Sequence, residues 1–296
     1  MRTILTLLFL PLVPPAALAA NLGLIGGDVG NVAIYGDSMS NDGNPESCEW
    51  CDPLTDAGLI VWGMAQAGAR TYYDTSAGPL YYCDNVNGYV GCEFYGERMT
   101  EYYGNACRRD YGSAVYTGDT APYPTCIADL PLSAQTVDVF FFGANDIRNN
   151  TFATWYSSGD RALSLDAWRK MLDASDAAGH SNVIVLGPPY LKADVGFSES
   201  DGALVDLHVA LRTKCASRPR CVIADVYSVF RRVETIYGTD ALHDMYNNLI
   251  DDCPDTECIH PGDGPTDIGI RPNDMVGEII LNAIRRANDK RISAVE

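Results

Sequence analysis

Positive charge is scarce in this 296-residue chain, where 21 Lys and Arg stand against 39 Asp and Glu, for a net charge of −18. A surface of that sign repels phosphate, which excludes nucleic acid and anionic membrane as partners. It suits a soluble protein working outside the cell. Long apolar runs are also missing. Past the N-terminal segment no stretch approaches the roughly 20 consecutive apolar residues of a membrane-spanning helix, so no stable membrane insertion is expected. Internal repeats and low-complexity linkers are absent, which leaves residues 21–296 as a single domain. Hydrophobic residues still make up 47% of the chain, enough to bury a sizeable core.

What is present begins with "MRTILTLLFLPLVPPAALAA", residues 1–20. One Arg, a short apolar run and Ala17-Leu18-Ala19 as a small-x-small site read as a secretory signal peptide, so the mature chain is expected to begin near Asn21. Ten cysteines agree with export to an oxidising compartment. An even count predicts up to five disulfides, with neighbours such as Cys83 and Cys92, Cys107 and Cys126, Cys215 and Cys221, and Cys253 and Cys258 as candidate pairs. Cys48 and Cys51 form C-x-x-C, a spacing that zinc also uses, but the other spacings do not supply a second such pair. No metal and no cofactor are expected. Asn149 opens an N-x-T sequon and is a candidate glycan acceptor.

Apolar runs and helical patterns alternate through the chain. "NVAIY" (31–35), "TVDVFFFG" (136–143), "NVIVLG" (182–187) and "CVIADV" (221–226) are continuous apolar runs, as in strands buried on both faces. Between them, Leu165, Trp168, Leu172 and Ala177 are spaced for one face of a helix, and residues 203–216 are helical in pattern. Pro272 opens a further amphipathic helix. This alternation predicts an α/β architecture with a parallel sheet covered on both faces. The stretch at about 42–110 differs: cysteines cluster in it, and tyrosines come in pairs such as Tyr72-Tyr73 and Tyr81-Tyr82. It is expected to be a loop-rich insertion over the sheet, with one helical piece near 93–103. Its tyrosines would pack or stack on sugars.

In open parallel sheets ligands bind beyond the carboxyl ends of the strands, so the residues there come first. Gly36-Asp37-Ser38 follow "NVAIY", Gly118-Asp119 follow "SAVYT", and Gly143-Ala144-Asn145-Asp146 follow "VDVFFF". His260 stands in "DTECIHPGDG", a loop before the Pro272 helix. Acyl transfer needs a nucleophile, a base in reach of it, an acid to orient the base, and donors for the oxyanion. Each type occurs in this set. Asp146 is expected to be structural, as is Asp225. His180, His208 and His243 are expected to be surface or satisfied histidines. No G-x-S-x-G occurs, which argues against the α/β-hydrolase elbow.

"AIYGDSMSN", "YGSAVYTGDTA", "FFGANDI" and "CIHPGDG" resemble, in order, the four sequence blocks of the GDSL esterase/lipases of the SGNH hydrolase superfamily, and softer similarity to the longer plant- and fungal-type members fills the gaps. The resemblance implies a flavodoxin-like three-layer α/β/α sandwich with a parallel five-stranded sheet, the SGNH hydrolase fold. It implies Ser38 as nucleophile at the start of a helix and His260 as general base. It implies an oxyanion hole from the Ser38 N–H, the Gly118 N–H and the Asn145 side chain.

One residue departs from the pattern. The family carries Asp three positions before the histidine, and this chain has Glu257 there, with Asp255 two residues upstream of it. The orienting acid is Glu257, or Asp255, or the site is a dyad. The expected activity is hydrolysis of carboxylic esters by a secreted monomer. The acidic composition and tyrosine-rich stretch point to short acyl groups, acetyl above all, on carbohydrate or other polar carriers. A lipase for longer acyl lipids and a non-catalytic binding or effector protein on a decayed hydrolase scaffold are the alternatives.

Overall fold

The computed structural model describes residues 30–37, 39–40, 48, 50–63, 71, 80–83, 92–95, 136–147, 152–191, 197–246, 260–262 and 264–293. Fifteen elements follow in chain order. They are β1 (Asn31–Gly36), α1 (Asp52–Asp56), β2 (Ile60–Gly63), β3 (Leu80–Cys83), β4 (Cys92–Tyr95), β5 (Thr136–Phe141), α2 (Ala144–Ile147) and α3 (Phe152–Ser157). After these come α4 (Asp160–Ala177), β6 (Ser181–Leu186), α5 (Phe197–Ala216), β7 (Cys221–Asp225), α6 (Val226–Tyr237), α7 (Thr239–Asp244) and α8 (Pro272–Ser293).

The four apolar runs all form strands, and a fifth joins them. The sheet runs β2-β1-β5-β6-β7 and every pairing in it is parallel. Val32, Ile34, Val139, Phe140, Val183 and Val185 are fully buried, as strands covered on both faces require. The fifth strand, β2, comes from inside the cysteine-rich stretch, so that stretch contributes an edge to the main sheet. Farther along it, β3 and β4 pair antiparallel with Cys83 opposite Cys92 in register. Cys92–Tyr95 is therefore strand where a helix near 93–103 was expected. Four-residue apolar runs carry no period that separates the two.

Handedness sorts the helices into layers. The chain steps one way from β1 to β2 and the other way from β5 through β6 to β7. Right-handed crossovers then put α1 on one face and α4 and α5 on the other. The aromatic core follows this division. Phe140 meets Trp168 of α4, with ring centroids 6.2 Å apart. Phe141, its neighbour on the opposite side of the pleat, meets Trp50 just ahead of α1. Helix α8 packs on β6 and β7 and against α1, completing a three-layer α/β/α sandwich.

Helix α4 buries Ser164, Ala167, Trp168, Met171, Leu172 and Ser175. The expected stripe holds at Trp168 and Leu172, is half-buried at Leu165, and fails at Ala177, which faces solvent in the last turn. Disulfides join Cys48 to Cys51 and Cys215 to Cys221. The second matches the neighbour pairing and staples the end of α5 to the start of β7. The first assigns the C-x-x-C to a disulfide. Residues 1–20 and the other expected pairs lie outside the described side chains. Among the described residues no helix is long and apolar enough to cross a membrane.

Candidate active site

The sheet order reverses beside β1, and the crevice at such a switch point opens at the carboxyl ends of the strands. Strand β1 ends there in a tight turn. The Asp37 N–H donates to the Phe141 carbonyl at 3.3 Å, which extends the β1–β5 ladder by one residue. The Ser40 N–H then donates to the Asp37 carbonyl at 3.0 Å, and the Met39 N–H to Asp37 Oδ1 at 3.0 Å. The turn folds back over Gly36: a Cβ there would lie 2.6 Å from Ser40 Oγ and 2.9 Å from the Phe141 carbonyl oxygen. Only glycine leaves that space. Ser38 lies outside the described residues, between two that are fixed. Met39 and Ser40 form a turn, and the helix start expected at Ser38 lies outside the described residues.

The second oxygen of Asp37, Oδ2, is buried and has no hydrogen-bond partner among the described residues. Burial pushes the carboxyl up from 3.8 to about 7. Nearby Asp146 adds to the rise, while the Met39 N–H and the charge of His260 oppose it. His260 is thus close enough to act on Asp37 electrostatically. No hydrogen bond joins them, so Asp37 does not orient the imidazole directly.

Strand β5 delivers Asn145 and Asp146 on α2. Asn145 is 5% exposed, and its Nδ2 is buried without a hydrogen-bond partner among the described residues. An amide donor held this way costs folding free energy, of about 1–3 kcal/mol. Its neighbour Asp146 is fully committed. One carboxylate oxygen accepts the Thr71 N–H at 2.7 Å, and the other accepts the hydroxyls of Thr71 and of Ser164, the latter at 2.9 Å. Asp146 is structural, as expected, and it anchors α2 and hence Asn145.

His260 is 8% exposed and its loop is stitched on several sides. The Gly262 N–H donates to the Met245 carbonyl at 2.8 Å, the Asn273 N–H to the Gly262 carbonyl at 3.3 Å, and the Asp267 N–H to Asp244 Oδ2 at 2.6 Å. The Tyr246 hydroxyl donates to the Pro189 carbonyl at 2.5 Å, which ties this region to the segment after β6. Met39 reaches the same segment: a Cβ on Gly187 would lie 3.0 Å from Met39 Cε. The ends of β1, β5 and β6 and the His260 loop therefore converge. Glu257, Asp255, Gly118 and Asn149 lie outside the described residues.

A second cluster has the right residue types in the wrong place. His180 Nδ1 lies 3.0 Å from Asp138 Oδ2, which also accepts the Ser175 hydroxyl. All are buried, and they sit at the amino end of the sheet. Both partners use the same carboxylate oxygen, so this cluster braces α4 against β5 and β6. His180 is buried, not on the surface, and it is satisfied by Asp138. His208 is also buried, but its Nε2 has no hydrogen-bond partner among the described residues. Burial pushes its pKa down to about 3, against the pull of Asp225, so the ring stays neutral. It packs edge-on against Tyr227. Asp225 caps α6 through the Ser228 N–H at 3.1 Å and accepts from Arg212 at 2.7 Å.

The residues that reasoning from sequence missed are those that hold the site. Trp50 and Tyr246 each bond a backbone carbonyl beside it. The only local signal for Trp50 was its place inside the C-x-x-C, eleven residues past Met39. For Tyr246 there was none.

No protein-family model matches the chain, and no curated protein sequence matches it significantly. Solved structures do. A lipolytic protein of the G-D-S-L family from Veillonella parvula is similar at 12% identity and a TM-score of 0.49, over 86% of this chain and 98% of that one. An arylesterase-like structure from Agrobacterium tumefaciens is similar at 15% identity and a TM-score of 0.48, over 87% of this chain and 99% of that one. An acetylxylan esterase from Geobacillus stearothermophilus is similar at 10% identity and a TM-score of 0.48, over 88% and 95%.

Proposed function

We propose that this chain is a secreted serine esterase that hydrolyses carboxylic esters, with short acyl groups on polar carriers as its substrates. The observation that carries the reading is Asn145. A buried amide donor without a partner, beside the G-D-S turn and the His260 loop, is costly to keep and has a use only when an acceptor arrives. An ester carbonyl oxygen turning into an oxyanion is such an acceptor.

In this reading Ser38 attacks the ester carbonyl while His260 takes the hydroxyl proton. Negative charge collects on the carbonyl oxygen, where the Ser38 and Gly118 N–H groups and the Asn145 amide receive it. His260 then gives the proton to the leaving alcohol. Water, activated by the same imidazole, releases the acid from the acyl-serine. Glu257 holds the far side of the ring in the required tautomer. The disulfides support export, because such bonds persist in oxidising compartments. The acidic surface supports a polar, uncharged or cationic carrier over an anionic lipid surface. The protein acts as a monomer without a cofactor.

The test is hydrolysis of p-nitrophenyl acetate against p-nitrophenyl palmitate, with Ser38→Ala as control, and mass mapping of an organophosphonate label. Acetate turnover, lost in the variant, with the label on Ser38, supports the reading. Preference for palmitate makes the protein a lipase. Absence of turnover and label makes it a binding protein on a hydrolase scaffold.

A further inference from the structure

Trp50 stands between the two cysteines of the Cys48–Cys51 bridge and is 1% exposed. The Cys51 N–H donates to the Cys48 carbonyl at 2.9 Å, so bridge and hydrogen bond together close a turn around it. The indole leans on Phe141, with centroids 6.0 Å apart and planes tilted by 53°. Its backbone carbonyl meets α8 so closely that a Cβ on Gly277 would lie 2.2 Å from the oxygen. The residue is held from every side, and its Nε1 donates to the Met39 carbonyl at 2.8 Å.

Met39 directly follows Ser38. The chain is thus tied on both sides of the serine: before it by the Asp37 N–H on Phe141, after it by Asp37 Oδ1 on the Met39 N–H and by Trp50 on the Met39 carbonyl. The bond is not a default of burial. Trp168 is equally buried, and its indole N–H has no hydrogen-bond partner among the described residues.

We propose that Trp50 is a positioning residue for Ser38, its indole N–H fixing the backbone from which the serine hydroxyl and N–H project. This rests on the reading of Ser38 as nucleophile. A serine that must reach both an ester carbon and a histidine gains from a backbone fixed beforehand, because small displacements at a reacting centre cost rate more than affinity. A tryptophan that only filled space would serve as well without its N–H.

The experiment removes the N–H and keeps the shape. Trp50→Phe is compared with a protein in which the indole is replaced by benzothiophene, which preserves the ring volume and lacks the donor. Both are assayed for kcat and KM on p-nitrophenyl acetate and for the rate of organophosphonate labelling. The benzothiophene protein should lose about tenfold in kcat, the worth of one hydrogen bond, with KM little changed and labelling slowed in parallel. If that protein matches wild type while Trp50→Phe is impaired, Trp50 only fills space and the inference is overturned. If both match wild type, it is overturned as well. An inactive, unlabelled wild type overturns the esterase reading and takes this inference with it.

Discussion

Asp146 and Thr71 are 75 positions apart, and the carboxylate of the first accepts both the backbone N–H and the hydroxyl of the second. The Ser164 hydroxyl shares the same carboxylate. Asp146→Ala leaves these donors buried, with Thr71 and Ser164 both fully covered. We expect a loss of about 2–4 kcal/mol in urea unfolding, since each orphaned donor costs about 1–3 kcal/mol and Thr71 and Ser164 retain each other. Asp146→Asn, which keeps one acceptor, should lose less.

Asn145 predicts the opposite balance. Removing its unpartnered amide relieves a buried donor, so Asn145→Ala should be no less stable than wild type by thermal melting. Turnover of p-nitrophenyl acetate should nevertheless fall by about 100- to 1,000-fold in kcat, the usual effect of deleting an oxyanion donor. A variant of wild-type activity would remove Asn145 from the mechanism.

Asp37 gives a pH dependence with a definite sign. Its carboxyl stands at 3.8 unfolded and about 7 folded, so the folded chain holds the proton more tightly. The associated stability is fully present below 3.8 and is lost as the pH rises to about 7. Asp37→Asn can still accept from the Met39 N–H and carries no titrating proton. Its stability relative to wild type should therefore climb between those values and level off above them, by on the order of a few kcal/mol. Paired urea titrations at intervals of pH measure this. Parallel curves would mean that Asp37 ionises as freely in the fold as out of it.

The orienting acid can be assigned by two neutral substitutions. Glu257→Gln should lower kcat strongly and leave KM nearly unchanged, as expected when an interaction acts mainly in the transition state. Asp255→Asn should do much less. The reverse result would move the role to Asp255. Mild effects from both, with Ser38→Ala and His260→Ala inactive, would make the site a dyad.

The strands were legible because the runs are short and rich in β-branched and aromatic residues, which favours strands over buried helix. Gly36, Asp37 and Asn145 could be placed at strand ends because each closely follows such a run. What could not be read is what joins distant segments. Nothing near Trp50 announces that its indole meets Met39, and nothing near Asp138 announces His180 and Ser175. Those contacts follow from strand order and handedness, which a single run of residues does not contain. The same holds for β2: four apolar residues in a stretch of tyrosines and cysteines become strand because the β1 edge is open beside them. His208 was misjudged for a related reason. Its burial depends on the packing of α5 against β7, not on its own neighbours.

Helix α8 covers β6 and β7, touches α1, and follows directly on the loop that carries His260. The order of synthesis therefore matters. A ribosome makes the G-D-S turn early, but the His260 loop and the helix that closes over Trp50 emerge only after some 220 further residues. Contacts of such long separation form slowly and late in folding. On the proposed reading, the nascent chain carries through most of its translation a nucleophile without a base, and activity waits until its two distant segments dock. In that case the cell that makes the protein meets an inert precursor for as long as the docking is delayed.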